Sequence, residues 1–255
     1  MWEFSLNIKA GNVEMAKKTY KFLREYFNMM DGIVTQHDEN GYIKILIAVK
    51  EDSAEVAKRA LVCCITDIIC NDFKHDYLDK YLSVPCQDKI CMHAFKKALL
   101  NFDIETDKFI VKRAIEIKKD MYLDSFYHFK LKSLKDKWAE LVALANENRE
   151  YFMTDESFVD LLKFLVDNLD ICEDEISIVK ENEGYHIYKD NNRYSIGVVN
   201  EEDVVSSVID LSPQKINLYV SENSSAINLL KQIFNERISI NKISFQNVKK
   251  INLNR

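Results

Sequence analysis

The stretch from Phe158 to Val220 constrains the fold most, because it changes period three times within about sixty residues. Phe158–Asp167 carries apolar residues at helical spacing, with Thr154-Asp155-Glu156 as its cap. Glu175–Val179 and Tyr185–Tyr188 alternate as strands around the turn 181–184. Glu201–Ile209 then returns to helical spacing, and Lys215–Val220 to a strand after Ser212-Pro213. Helix, hairpin, helix and strand in that order specify an α/β unit with a small mixed sheet. None of these residues announces a reaction.

The N-terminal region repeats the mixture. Trp2, Phe4, Leu6 and Ile8 alternate as a half-buried strand. A helix follows from Asn12, its expected N-cap, to about Met30, with Val13, Ala16, Tyr20, Leu23 and Phe27 as its inner face. Ile33–Gln36 and Tyr42–Val49 flank Asn40-Gly41, a strong hairpin signal. Glu51-Asp52-Ser53 caps a long helix reaching about Leu82. This order resembles half of a ferredoxin-like unit. Between Pro85 and Asn148 the pattern is helical, with joints near 103–107 and 127–128. Val111, Ala114, Ile115, Ile117 and Met121 suit one buried face, and Leu131, Leu134, Trp138, Leu141, Val142 and Ala145 another. Ser224-Ser225 opens a helix to Asn235, Arg237–Ile240 is a last strand, and a basic tail of low order follows.

The fold class is therefore α+β: an N-terminal α/β unit over 1–84, a helical middle over 85–170, and a C-terminal α/β unit over 171–255. Five glycines and two prolines leave little linker, so these units are expected to pack closely. No signal peptide and no bilayer-length apolar run is present, and the six cysteines read as free thiols of a reducing cytoplasm. Residues 151–212 hold 15 acidic and 4 basic side chains, a net of −11. Residues 213–255 hold 2 and 7, a net of +5, and residues 86–150 hold 11 and 13, a net of +2. That asymmetry argues against nucleic-acid binding by the whole chain and allows internal charge pairing or a polar protein-binding surface.

Chemical motifs are sparse. Cys63, Cys64, Cys70, Cys86 and Cys91, with His75 and His93, lack the tight Cys-x2-4-Cys knuckle of a zinc site, so no metal is expected. His37, His128 and His186 read as surface or half-buried histidines. There is no nucleophile elbow, no Ser-x-x-Lys and no glycine-rich phosphate loop, so no catalytic residue and no cofactor is assigned. Glu201-Glu202-Asp203 opens a helix where its dipole favours carboxylates. Glu173, Asp174 and Glu175 form an acidic turn before a strand and are the candidate protein-binding residues. Lys112 with Lys119, and Lys130 with Lys137, recur at seven residues as shared helix faces, with Tyr122, Phe126, Tyr127 and Phe129 between them. They are the candidate nucleic-acid contacts.

Residues 158–167, 176–179 and 185–188, and above all the run Glu201–Ile216 with its Ser-Pro-x-Lys-Ile element, resemble the sporulation protein YtxC family of endospore-forming Firmicutes. The resemblance covers mainly residues 150–240. It implies a bacterial, cytosolic, sporulation-associated role and carries over no catalytic residue. The leading expectation is a non-enzymatic protein-interaction or regulatory module with an unidentified protein partner. The alternatives are a nucleic-acid-binding protein using the basic 108–137 helices, and a metal-dependent hydrolase.

Overall fold

A computed structural model describes residues 1–84, 88–147, 155–181, 184–189, 194–220 and 224–241. Pro85, Cys86, the capping Thr154 and the basic tail beyond Asn241 lie outside these residues. The fold is α+β, with a mixed sheet in each of two compact units. The first unit comprises 1–81 and 104–144, and the second 82–103 and 145–255. The helices between 85 and 170 divide between them.

In the first unit β1 (Trp2–Lys9), α1 (Val13–Asn28), β2 (Ile33–Glu39) and β3 (Tyr42–Val49) build a sheet of order β2-β3-β1-β4, where β4 is Asp120–Tyr122. β3 is antiparallel to both β1 and β2, which makes β1 and β2 parallel with β3 between them, the split βαβ arrangement. Asn40 (φ 50°) and Gly41 (φ 80°) both take the left-handed conformation that a two-residue hairpin requires. β4 was not foreseen: it adds parallel to β1.

The alternation of β1 and β3 sends Phe4, Leu6, Ile8, Ile43, Ile45, Ile47 and Val49 into one core. α1 meets it with Met15, Ala16, Thr19, Leu23 and Phe27. Val13, expected inside, is 42% exposed at the opening turn, and Asn12 makes no side-chain capping bond. The helix expected from Ser53 to Leu82 is a 3-10 turn Glu51–Ser53, α2 (Ala54–Asp67), a π-helical stretch Ile68–Phe73 and α3 (Lys74–Tyr81). Ser53 makes no side-chain cap either. The wider π turn lets Ile68, Ile69, Cys70 and Phe73 all be buried.

α5 (Ile104–Ala114) follows Asp103, whose φ of 53° marks the expected joint. The second expected joint, near 127–128, lies inside α6 (Leu123–Lys130), and the break falls one turn later at Leu131 (φ −107°, ψ 41°). α7 (Lys132–Glu147) buries Leu134, Trp138, Val142 and Ala145 as expected. Val111 and Met121 are both buried, but α5 ends before Met121, so they share a core and not a helix face.

The second unit contains α4 (Lys89–Asn101), α8 (Asp155–Asp167), and a sheet of order β7-β6-β5-β8-β9. Its strands are β5 (Glu173–Glu181), β6 (Gly184–Lys189), β7 (Tyr194–Val199), β8 (Pro213–Tyr219) and β9 (Ile238–Ile240). β7, with Gly197 interrupting its alternation, is the strand the sequence pattern missed. α9 (Glu201–Leu211) packs on α4 and against β6 and β7, while α10 (Ser225–Phe234) packs on α8 and α9. Both helices are capped as their sequences suggest. Asn200 Oδ1 accepts from the Asp203 amide at 2.8 Å, and Ser224 Oγ accepts from Ile227 at 3.4 Å.

α9 ends at Ser212 in the left-handed conformation (φ 37°, ψ 61°), directly before Pro213. Ser212 is 3% exposed, and its Oγ has no hydrogen-bond partner among the described residues. A non-glycine residue there costs about 1–2 kcal/mol, and an unsatisfied buried hydroxyl about 1–3 kcal/mol. Glycine removes both costs and returns part of the gain through greater freedom of the unfolded chain. Ser212→Gly should therefore raise stability by about 1 kcal/mol in urea unfolding. A destabilised variant would show that the hydroxyl has a partner in solution.

Candidate interaction surfaces

Two kinds of polar cluster emerge, and burial separates them. In the first unit Asp107 and Lys74 are 0% and 1% exposed. Lys74 Nζ donates to Asp107 Oδ2 at 2.8 Å, Trp138 Nε1 to the same oxygen at 3.0 Å, and Lys137 Nζ to Oδ1 at 2.7 Å. The carboxylate thus receives three donors in a space closed by the core. Burial pulls the Lys74 ammonium below the ordinary lysine range, and its partner Asp107 opposes that shift. Asp107 and Lys74 are closed off from solvent, and only Lys137, 29% exposed, reaches it, so the pair at the centre is structural. Sequence pattern gave no sign of it, because its members lie on three helices and are 33 and 31 residues apart.

The expected basic faces are not formed as the seven-residue spacing suggested. Lys112 is on α5, but Lys119 lies beyond that helix, next to β4. Lys130 ends α6 and Lys137 is in α7, with the break at Leu131 between them. Lys112, Lys130 and Lys137 have different acidic neighbours. Lys137 is committed to Asp107. At Asp67, where burial raises the carboxyl pKa, Lys108 and Lys112 work in the opposite direction. Lys118 and, more weakly, Lys130 hold the Glu116 carboxyl below its usual range. Of the interleaved aromatics Phe126 and Tyr127 are buried, whereas Tyr122 and Phe129 are 46% and 82% exposed.

Glu173, Asp174 and Glu175 are the first three residues of β5 and not a turn. Alternation separates them. Glu173 pairs with Lys189 at 2.8 Å, and Glu175 accepts from Asn217 and, at 3.1 Å, from Lys215. Burial works against the Glu175 charge, but the Asn217 and Lys215 donors outweigh it and hold the carboxyl below its usual range. Asp174 is exposed.

Lys119 has a second setting. The face of the first sheet opposite the core presents Glu3, Ser5 and Asn7 from β1, and Lys44, Leu46 and Ala48 from β3. Ile33 and Thr35 from β2, and Asp120 and Tyr122 from β4, complete it. Ser5 Oγ donates to Asp120 Oδ1 at 2.7 Å, and Asn7 Nδ2 donates to Ser5 Oγ and to the Met121 carbonyl, both at 3.1 Å. Ser5 and Asn7 are thereby satisfied although only 3% exposed. Above them lies a cleft of about 360 Å³. Its rim carries Glu3, Lys44, Lys119 and Asp120, and its apolar lining includes Ile33 (63% exposed) and Leu46 (37% exposed). The alternation of β1 signalled this polar face, but only β4 reveals what it is bonded to.

The described cysteines form no metal-binding cluster. Cys63 and Cys172 are exposed, while burial, aided by Asp67, pushes the Cys64 thiol up to about 12. Burial also pushes Cys70 up to about 12, with Asp107 adding to it. Among the described residues no group of three His, Cys, Asp or Glu could hold a metal ion. His186 is half-buried on β6, and His37 lies 3.6 Å from Glu39 on the surface. No helix among the described residues is long and apolar enough to cross a membrane.

The fold and these surfaces define a two-unit α+β protein whose accessible candidate site is an open mixed-sheet face. The chain belongs to the YtxC-like family, whose model matches residues 60–239, from within α2 to β9. No curated protein and no solved structure matches the chain.

Proposed function

We propose that this chain is a sporulation-associated, cytosolic protein that acts by binding another protein, with the open face of the first sheet as its docking surface. The observation that carries this reading is the cleft between Ile33, Leu46, Lys44 and Lys119, where exposed apolar side chains sit inside a rim of both charges. An apolar centre with a mixed polar rim suits a polypeptide better than a phosphate backbone. Membership of the YtxC-like family and the Ser-Pro-x-Lys-Ile resemblance support the sporulation setting. The exposed acidic side chain of Asp174 is a second contact region under the same reading.

A specific observation also favours a nucleic-acid reading: Phe129 is 82% exposed beside Lys130. Affinity capture of the tagged chain from sporulating cells, with and without nuclease, separates the two. A stoichiometric protein partner that survives nuclease is the expected result. Partners lost on nuclease treatment, with binding lost in a Lys112→Glu, Lys130→Glu variant, would transfer the assignment to nucleic acid.

A further inference from the structure

Among the described residues the two sheets end in four edge strands, and three of them are blunted. β4 and β9 are three residues long each. β7 pairs with β6 through a register shift and carries Gly197 at φ 118°. Shortness and bulging are common ways of protecting an edge from pairing with another chain. β2 has neither. Its seven residues, Ile33–Glu39, pair with β3 in unbroken register from Ile33↔Ala48 to Glu39↔Tyr42. It contains no Pro, Gly, Lys or Arg, and only Val34 is buried.

We propose that β2 is a homodimerisation edge, pairing antiparallel with β2 of a second copy of this chain and joining two four-stranded sheets into one. The distribution of charge on the strand selects that occupant and direction. Ile33–Gln36 is uncharged and Asp38-Glu39 is acidic. A two-fold axis at Gln36 overlaps all seven residues and sets Ile33 opposite Glu39, Val34 opposite Asp38 and Thr35 opposite His37. The four carboxylates then lie at the two far ends. Parallel pairing in register would stack each carboxylate on its own copy, which is unfavourable. An isologous contact of this kind closes on itself as a dimer.

The helix beside the strand fits the same partner. α1 packs along β2; Phe22 on it is 48% exposed, and Met29, its C-cap residue, is 79% exposed. In the joined sheet both copies of α1 lie on the same face, where these side chains gain cover. Ile33 also lines the cleft of the docking reading, but the test here reads self-association of the chain and not capture of another protein.

Position 33 provides an opposite-sign test, since its side chain is exposed and its substitution spares the core. Analytical ultracentrifugation of the full chain over micromolar to hundred-micromolar concentrations is expected to show a monomer–dimer equilibrium. Ile33→Glu places a carboxylate against Glu39 of the second copy and should weaken the dimer about tenfold, while Ile33→Lys should hold or strengthen it. A wild-type chain that stays monomeric throughout overturns the proposal. So does a dimer that responds equally, or not at all, to the two charges.

Discussion

Asp107→Ala should cost the first unit about 3–5 kcal/mol, because it deletes the carboxylate paired with a buried ammonium. Lys74 is 1% exposed, and its Nζ lies 2.8 Å from the carboxylate that this change deletes. Both tryptophans of the chain, Trp2 and Trp138, belong to the first unit, so their fluorescence follows its unfolding selectively. Trp138 also reports the site directly, since its indole donates to Asp107. The sign of the pH response is fixed. A lysine whose folded pKa is depressed releases its proton earlier in the folded state, so its contribution to stability rises with pH toward the unfolded value of 10.5. Removing Asp107 depresses it further, so the deficit of the variant should narrow as the pH is raised toward that value. The double variant Lys74→Met, Asp107→Leu should lose less than Asp107→Ala alone, since it removes the buried ammonium as well. Equal or greater loss in the double variant would mean that the pair itself stabilises the fold.

Phe95→Ala should remove about 3–5 kcal/mol from the second unit. Phe95 is 0% exposed on α4 and meets Phe158 of α8 with ring centroids 5.3 Å apart. α4 precedes α5 by only two residues, yet it belongs to the second unit while α5 belongs to the first. The tryptophan transition should therefore keep its midpoint while part of the far-ultraviolet transition moves to lower denaturant. A tryptophan transition displaced to the same extent would show that the two units unfold together.

Most of the elements were legible because the burial they need imposes a period. Phe4, Leu6 and Ile8 alternate because one face of β1 is core, and Leu134, Trp138, Val142 and Ala145 recur because one face of α7 is. The Asn40-Gly41 hairpin and the Ser224 cap were legible because they depend on local backbone chemistry. β4 was not, since three residues carry no period, and Asp120 is held by Ser5 from 115 residues away. The seven-residue lysine spacing misled for a related reason: it presumes an unbroken helix, and α5 stops at Ala114. The acidic triplet at 173–175 looked like a turn because exposed charge is common there, yet partners on β6 and β8 draw two of its members into a strand. The Lys74–Asp107 pair was invisible for the most general reason. A buried ion pair is defined by what surrounds it in space, and its residues carry no local mark.

The docking surface is tested most directly by comparing the wild-type chain with Leu46→Glu in nuclease-treated capture from sporulating cells. Leu46 is 37% exposed on the cleft side of β3, so the variant should keep the wild-type tryptophan unfolding transition. Loss of the captured protein by the folded Leu46→Glu chain is the predicted result. Undiminished capture by that chain would contradict the account and remove the open face of the first sheet as the site.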